Sequence, residues 1–308
     1  MLERVIRRTA IVTVGAALAA VGCSLVLTTQ NEQCTADGDC AARGPAFAGT
    51  VCESRVCVSK PAVDAGSDAA ADADAAIDPI WGCLGTVVFP PAAKPKVKIS
   101  IPFYELISKQ PVTDILVRPC ARLDVSCANP LTAPVAPDSK GVVTLDVDAN
   151  FDGYAEILPT FADSGLPNYV PSLAFFSPPP ADDTVFAPLL LLTPASLTTL
   201  AATAGNAIDP KLGAVFFVAQ DCAGKAAAGV AVTTDRTEAT TKGFYLIKGL
   251  PSETASATDS AGYGGFINLP TGYVRVNATV HDTGKAIGGT SVLVRPSPIT
   301  YVYLVPSP

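Results

Sequence analysis

The sequence predicts an all-β protein with two similar β-modules in tandem, because one strand–turn pattern occurs twice. Asp138-Ser-Lys-Gly141, followed by a run to Gly153-Tyr154-Ala-Glu-Ile157, has a counterpart in Asp259-Ser-Ala-Gly262 and Gly272-Tyr273-Val-Arg-Val276. Each copy is typical of a β-hairpin, since turn residues precede apolar or alternating residues and a second Gly turn. The 27 Pro and 24 Gly residues also favour short strands and many turns over long helices.

Composition and charge indicate a folded part that is nearly neutral. Hydrophobic residues make up 49% of the 308 residues and charged residues 16%, which is enough apolar material for about two domains. The net charge is −7, but residues 61–80 carry five Asp and no basic group, whereas residues 81–308 carry 15 basic and 18 acidic groups. No basic patch is present in this pattern, so nucleic acid is not an expected partner.

Residues 1–27 have the pattern of an export signal, with a long apolar run after a positive segment formed by Arg4, Arg7 and Arg8. The run ends in Ala20-Val21-Gly22-Cys23-Ser24, which resembles a bacterial lipoprotein signal. This resemblance implies cleavage before Cys23, lipidation of Cys23, and attachment to the outer membrane or cell surface. The alternative is a single uncleaved N-terminal membrane anchor, since the apolar run is nearly long enough to span a bilayer.

Residues 31–60 are predicted to form a small two-disulfide knot. They contain Cys34, Cys40, Cys52 and Cys57, and export places these thiols in an oxidising compartment. Four cysteines allow three pairings, and the sequence does not choose among them. The alternative, a zinc site, is disfavoured because neither Cys pair has the tight Cys-x-x-Cys spacing. Residues 61–80, rich in Ala and Asp, are predicted to be a disordered, solvated linker.

The first predicted β-sandwich covers residues 81–193, and a connecting helix covers residues 194–206. Thr193 is a suitable N-cap for this helix, Pro194 suits its first position, and Gly205 suits its end. The strands predicted in the first module are Gly85–Phe89, Lys96–Pro102, Thr113–Arg118, Gly141–Asp148, Tyr154–Pro159 and one near Ala187–Leu192. No other helix is predicted in the exported part.

The second predicted β-sandwich covers residues 209–308. Its predicted strands are Gly213–Ala219, Val230–Thr234, Gly243–Lys248, Gly264–Leu269, Gly272–His281, Gly289–Val294 and Thr300–Val305. Four cysteines lie in the two modules. Cys120 and Cys127 are close enough in sequence to close one loop, which leaves Cys83 and Cys222 either paired across the modules or free.

Several segments of the second module resemble the carboxypeptidase regulatory-like, or transthyretin-like, domain. They are Gly213-Ala-Val-Phe-Phe-Val-Ala-Gln-Asp221, Gly224, Gly229-Val-Ala-Val232, Thr258-Asp-Ser-Ala-Gly262, Phe266 and Leu269-Pro-Thr-Gly-Tyr-Val-Arg-Val276. The resemblance covers about a third of the chain and departs from the family at Val230 and Ala227. The first module is similar only through Asp114-Ile-Leu-Val, Asp138-Ser-Lys-Gly and Phe151-Asp-Gly-Tyr154. The resemblance implies a seven-stranded Greek-key sandwich, and the expected fold is therefore two tandem Greek-key β-sandwich modules. It also implies no catalytic residues and an accessory role, and related sandwiches can bind carbohydrate.

The segment from residue 148 to residue 156 matches a calcium-loop pattern. Its candidate ligands are Asp148, Asn150, Asp152 and Glu156, with Gly153 permitting a sharp bend, and calcium prefers such oxygen ligands. The alternative is a plain hairpin, in which Asp146 and Asp148 are the outward positions of a half-buried strand and the rest are ordinary turn residues. The plain hairpin is favoured, and no cofactor other than calcium is expected.

The sequence predicts a non-catalytic protein. His281 is the only histidine, which excludes metal sites that need two, and it lies in a predicted turn. No nucleophile elbow, P-loop or zinc-protease motif occurs. Aromatic residues are candidates for a sugar-binding platform, although most are expected to be core. These candidates are Trp81, Tyr104, Tyr154, Tyr169, Phe175, Phe176, Tyr245 and Tyr263.

The function expected from these patterns is a structural or adhesion module of the cell envelope. The alternative is a carbohydrate- or peptide-binding module with structural calcium. The expected partners are a membrane, a polysaccharide or another envelope protein.

Overall fold

The computed structural model describes residues 34–42, 50–53, 56–59, 80–161, 165 and 167–308. The predicted signal with Cys23 and the predicted linker, residues 61–79, lie outside the described residues. The pairing of Cys57 is likewise outside what the structure describes. The chain divides into two compact units, Met1–Ala75 and Ala76–Pro308. Strands account for 42% and helices for 6%, which confirms the all-β prediction.

The first unit contains α1 (Asp37–Ala42) and the antiparallel pair β1 (Thr50–Glu53) and β2 (Val56–Ser59). Cys34 is bonded to Cys52, and Cys40 is also disulfide-bonded. The prediction of a single helix was wrong, because the six residues of α1 form a short helix here. The carboxylate of Asp39 accepts the backbone N–H groups of Thr35 and Ala36, which fixes the chain just before the helix.

The second unit contains fifteen strands and one helix among its described residues. In the first half, residues 81–193, the strands are β3 (Lys96–Glu105), β4 (Ile115–Ala121), β5 (Val142–Asp148), β6 (Gly153–Pro159), β7 (Ser172–Phe175), β8 (Thr184–Val185) and β9 (Leu189–Leu191). The helix α2 (Pro194–Thr203) follows. In the second half, residues 209–308, they are β10 (Gly213–Ala219), β11 (Val230–Thr234), β12 (Lys242–Ile247), β13 (Leu250–Ser252), β14 (Tyr263–Leu269), β15 (Gly272–Val280), β16 (Ala286–Val294) and β17 (Ile299–Leu304).

These strands form three layers around one shared sheet. The central sheet has eight strands in the order β13-β12-β14-β10-β17-β7-β6-β4, so it takes strands from both halves. An outer sheet with the order β5-β3-β8, to which β9 adds beside β3, comes from the first half. The other outer sheet, with the order β11-β15-β16, comes from the second half.

Each outer sheet packs on a different face of the central sheet and encloses its own hydrophobic core. Phe216 and Tyr301 of the central sheet belong to one core, with Val97 of β3. Their neighbours in sequence, Phe217 and Val302, belong to the other core. Because side chains alternate across a strand, β10 and β17 are buried along their whole length on both faces.

The last strand, β17, joins the two halves. It lies between β10 and β7 and is parallel to both, with Val302 opposite Phe217 and Phe175. Tyr301 and Tyr303 donate from their hydroxyls to carbonyl oxygens of the first half, those of Leu190 and Ala187. Two sandwiches are present, but they share the central sheet, and hydrogen bonds and both cores cross the boundary predicted between the modules.

The helix α2 begins where the sequence predicts, at Pro194, and ends at Thr203, three residues before the predicted end at residue 206. The Thr193 hydroxyl accepts the N–H of Ser196, Pro194 occupies the first turn, and Gly205 has a φ of +75°. The residues expected to face the core are buried, and they are Leu197, Leu200 and Ala201. Neither helix in the described ranges is long and apolar enough to cross a membrane.

The predicted strand Gly85–Phe89 was wrong, because two turn hydrogen bonds occupy its start. Leu84 N–H donates to the carbonyl oxygen of Trp81, Thr86 N–H donates to that of Cys83, and Gly85 has a φ of +86°. The prolines that follow have no N–H to donate to a ladder. Three short strands of the second unit, β7, β8 and β13, were not predicted, and neither were β1 and β2 of the first unit.

The hairpin interpretation of the repeated motif was also wrong. In the first copy, β5 lies in an outer sheet and β6 in the central sheet; in the second copy, β14 is central and β15 is outer. The strands on either side of the turn therefore face each other across a core, where Leu145 of β5 and Ile157 of β6 are both buried. Turn residues predict a reversal of the chain, but they do not decide whether the two strands pair or face each other.

Candidate functional site

The two repeat tyrosines converge on one loop, residues 121–128, which the Cys120–Cys127 disulfide closes. Tyr154 donates from its hydroxyl to the carbonyl oxygen of Asp124 at 2.5 Å. Tyr273 donates to the carbonyl oxygen of Arg122 in the same loop. The two halves of the protein therefore hold this loop through equivalent residues of the repeated motif.

A buried ion cluster, which we call the Glu156 cluster, lies beside this loop and consists of Glu156, Arg118, Arg295 and Tyr154. Glu156 Oε2 accepts Arg118 Nε at 2.7 Å, and Glu156 Oε1 accepts Arg295 Nη1 at 2.5 Å. The side chain of Glu156 is only 10% exposed. Arg295 Nη2 also donates to the Tyr154 hydroxyl at 2.5 Å, and its guanidinium lies 5.3 Å from the ring centroid. Two cations surround one carboxylate, so the cluster holds a net positive charge.

Protonation states in this region favour fixed hydrogen bonds. Burial raises the pKa of Tyr154 and of Tyr273, so both hydroxyls keep the proton they donate. The backbone N–H groups of Asn129 and Ala128 lower the pKa of Asp124, which keeps that carboxylate ionised where it accepts the N–H groups that end the loop. The arrangement is suited to holding two halves together.

The candidate calcium ligands do not converge. Asp148 pairs with Lys96 at 3.0 Å across β5 and β3, and Asp152 accepts Arg122 Nε at 2.6 Å. Glu156 lies in the Glu156 cluster, so the carboxylates that the pattern brought together in sequence are paired with different cations. The fourth candidate calcium ligand, Asn150, has a φ of +59°, which is typical of a turn.

The plain-hairpin alternative predicted the side-chain directions of β5 correctly. Asp146 and Asp148 are exposed, while the residues between and before them, Val147 and Leu145, are buried. Asp146 pairs with Lys98 at 2.8 Å across the same two strands that hold the Asp148–Lys96 pair. These carboxylates therefore line the outer face of an antiparallel pair, although the strand pair is β3 with β5 and not a hairpin with β6.

Two groups of cysteines and carboxylates lie close enough together in the described residues to resemble metal sites. One is Cys34, Cys40 and Cys52, and the other is Cys120, Cys127 and Glu156. All five cysteines are in disulfides. A disulfide sulfur is not the thiolate that a metal requires. The zinc alternative for the knot therefore lacks its ligands in this oxidised form.

The single histidine lies on the surface. His281 follows β15, its side chain is 40% exposed, and Nδ1 lies 2.9 Å from Asp282. Its neighbour is a residue of the same turn, whose side chain is 90% exposed. This geometry places the ring in a solvated turn and not in a cleft.

None of the eight aromatic residues proposed for a sugar platform is fully exposed. Four are buried in the two cores, and they are Trp81, Tyr154, Phe175 and Phe176. The other four are half-buried, and they are Tyr104, Tyr169, Tyr245 and Tyr263. These candidates therefore do not form a row of exposed rings for stacking on sugar faces.

A groove of about 570 Å³ lies between the segment Phe89–Pro90 and the edge strand β8. Its walls are largely apolar and include Pro178, Val185 and Tyr303. A second hollow of about 390 Å³ shares Phe89 and Pro178 with it and is lined by Cys83 and Cys222, which are bonded to each other. These two hollows lie where the first described residues of the second unit meet its last residues.

Sequence reasoning missed three arginines that form ion pairs where the two halves meet. Arg118 and Arg295 each stand directly after a run of apolar residues, and Arg122 follows Cys120-Ala121. A charged residue in a buried strand requires a countercharge, so Arg118 in β4 and Glu156 in β6 were a pairing signal. The signal for the shared sheet was the unbroken apolar run of β10, which indicates burial on both faces.

Comparisons with known proteins give only distant structural likenesses. No protein-family model and no curated protein matches the chain. The minor pilin GBS52 of Streptococcus agalactiae is 15% identical over 69% of this chain and 98% of its own, with a TM-score of 0.21. The shaft pilin SpaA of Lactobacillus rhamnosus GG is 10% identical over 69% and 98%, with a TM-score of 0.22. The Bacillus anthracis TIE protein is 12% identical over 70% of this chain, with a TM-score of 0.21, and the chain spans about a third of its length, 34%. Overlaps this low carry no conclusion about function.

Proposed function

We propose that this protein is an exported, non-catalytic structural or adhesion module of the cell envelope, held at the membrane by a lipid on Cys23. The observation that carries the proposal is the shared central sheet, to which both halves of residues 80–308 contribute strands. Such a body is suited to bearing mechanical load and to holding its two halves in a fixed arrangement, because one hydrogen-bonded sheet runs through both halves.

Export is supported by the disulfides of both units. The knot, the loop 121–128 and the segment that contains Cys83 are each closed by a disulfide. Disulfides form and persist in oxidising compartments and are rare in a reducing cytosol. The apolar leader and the Ala-Val-Gly-Cys sequence before Ser24 fit the same route.

A non-catalytic role is supported by the chemistry of the buried polar groups. The buried carboxylate of the Glu156 cluster is paired with two arginines, Arg118 and Arg295. His281 lies on the surface beside Asp282. The polar groups of the Glu156 cluster and of the loop 121–128 thus hold strands and loops together.

The anchor is tested with Cys23→Ser in the full chain, expressed in a bacterium that processes lipoproteins. We expect wild-type protein to incorporate a labelled fatty acid and to fractionate with membranes, and the variant to lose both properties. Ser24→Ala is the matched control and keeps both. Lipidation is contradicted if the wild-type protein incorporates no fatty acid and the Cys23→Ser variant still fractionates with membranes. That result favours the uncleaved anchor.

Binding of an extended peptide is a second candidate, favoured by the groove beside β8. In the described part of the chain, β8 is paired only with β3, and Val185 is 75% exposed. An open strand edge beside apolar walls accepts an added strand. A library of extended octapeptides displayed to the full chain tests this. Enrichment that Val185→Pro abolishes supports the site, whereas no enrichment, or enrichment unaffected by that change, contradicts it.

A further inference from the structure

We propose that the Cys83–Cys222 disulfide is a site of thiol–disulfide exchange with a dithiol reductant, and that its opening releases the lead-in segment, residues 80–84, from the second half. The proposal is independent of the envelope function. It rests on the different surroundings of the two disulfides in the second unit.

The two disulfides differ in their access to solvent. Cys120 and Cys127 are 0% and 1% exposed and belong to the core between the central sheet and β15. Cys83 and Cys222 are half-buried and line the open hollow of about 390 Å³. An attacking thiolate must approach a sulfur directly, so of these two only the Cys83–Cys222 disulfide is accessible in the folded protein.

One sulfur of this disulfide is prepared to leave as a thiolate. The backbone N–H of Cys83 donates toward Cys222 Sγ at 3.2 Å. A hydrogen bond to a thiolate stabilises its charge, and a more stable thiolate is a better leaving group. We therefore assign Cys83 Sγ as the sulfur that is attacked and Cys222 Sγ as the sulfur that leaves.

The exchange is balanced by a dithiol. Its first thiolate forms a bond to Cys83 Sγ as the bond to Cys222 Sγ breaks, and the electron pair stays on Cys222 as a thiolate. The second thiol of the reductant then loses its proton and displaces Cys83. The reductant becomes a disulfide, and Cys83 and Cys222 each take up a proton, so two electrons pass to the protein.

The apolar surface around the hollow fits a protein partner of this chemistry. Val88 is 84% exposed and Phe89 is 40% exposed, and both line the hollow beside the disulfide. Dithiol oxidoreductases must lay their active-site surface against the substrate disulfide during the mixed-disulfide step. Exposed apolar side chains next to the target sulfur supply area for that contact.

Opening the disulfide has a local consequence that one residue reports. The bond joins positions 139 residues apart, and beside it the Cys222 N–H donates to the Ile80 carbonyl oxygen while Trp81 and Leu84 are buried in the core. Trp81 is the only tryptophan in the chain and is 8% exposed. Its fluorescence therefore reports the position of the lead-in segment without interference from other indoles.

The test is a time course of the full chain with dithiothreitol and, separately, with a thioredoxin-type dithiol protein, each stopped by alkylation. Peptide mass spectrometry measures labelling of each cysteine, while acrylamide quenching measures Trp81 and far-UV circular dichroism measures the fold. We expect Cys83 and Cys222 to be labelled at least about tenfold faster than Cys120 and Cys127. Quenching of Trp81 rises over the same period, and the circular dichroism stays unchanged.

Two double variants keep the test interpretable. Cys83→Ser with Cys222→Ser is expected to show the raised quenching of Trp81 without reductant, whereas Cys120→Ser with Cys127→Ser keeps the low quenching of the wild type. Equal labelling rates for both disulfides, or labelling only together with loss of circular dichroism, overturn the accessible site. Selective reduction with unchanged quenching overturns the release of the lead-in segment.

Discussion

Tyr154 and Tyr273, the tyrosines of the two copies of the repeated motif, donate to carbonyl oxygens two residues apart in one disulfide-closed loop. Tyr154 lies near the start of β6 in the central sheet, and Tyr273 lies near the start of β15 in the outer sheet of the second half. Their shared target ties the two halves together, in addition to the pairing of β17 with β7.

Removing these hydroxyls tests that connection. Tyr154→Phe and Tyr273→Phe are each expected to lower the free energy of unfolding by about 1–3 kcal/mol, because each removes a buried hydroxyl that donates to the loop. Tyr154→Phe also removes the acceptor of Arg295 Nη2. Since both act on one loop, the double variant should deviate from additivity by about 0.5 kcal/mol or more. Urea unfolding of the four proteins measures this. Additive losses contradict a shared connection, and Tyr104→Phe, at a half-buried position outside the loop, is the control.

The Glu156 cluster predicts a large effect of one uncharged substitution. Glu156→Gln keeps the shape of the side chain but leaves Arg118 and Arg295 together without a countercharge. We expect a loss of about 3 kcal/mol in the free energy of unfolding. Asp152→Asn, which removes a carboxylate whose side chain is 60% exposed, is the matched control and should cost less than about 1 kcal/mol. Equal losses in urea unfolding contradict a structural role for the cluster.

Acid should weaken the protein partly through the turn at Asp138. The backbone N–H groups of Val142 and Lys140 lower the pKa of this carboxyl in the folded state. A lowered folded-state pKa gives stability that is present above the unfolded pKa, near about 4, and is lost as pH falls through the folded value. Asp138→Asn should therefore reduce the difference between the stability at pH 7 and at pH 3. Thermal unfolding at both values measures it, and an unchanged difference contradicts the assignment.

Calcium is expected to leave the stability of residues 80–308 unchanged. The carboxylates of Asp148, Asp152 and Glu156 each pair with a different cation, so binding would first have to break those pairs. A thermal shift assay of the full chain with millimolar CaCl₂ checks this, with MgCl₂ at equal ionic strength as control. A calcium-specific rise that Asp152→Ala removes would restore the calcium loop.

Local features of the fold were predictable from the sequence. The start of α2 followed from Thr193 and Pro194, and most strands of the second unit followed from alternating or continuous apolar residues. Both ends of β10 and of β11 were predicted to the residue. These features depend on contacts within a few residues along the chain.

Non-local pairing was not predictable by the same reasoning. Nothing near Ile299–Leu304 in the sequence indicates that its partners are β10 and β7, because those strands lie far away along the chain. The repeated turns predicted chain reversals correctly, yet the strands on either side joined different sheets. Glu156 matched a calcium pattern in sequence, whereas in the fold Arg118 and Arg295, which is far away along the chain, both pair with it.

The central claim is that the two halves form one cooperative body around a shared sheet. Native-state hydrogen exchange of the full chain tests it most directly, by comparing the opening free energies of amides in β3, β17 and β15. We predict that core amides of all three strands exchange only through the same global unfolding, with one free energy that decreases together in denaturant. A separate opening of the strands between residues 96 and 191, while residues 213–304 stay protected, would contradict the account.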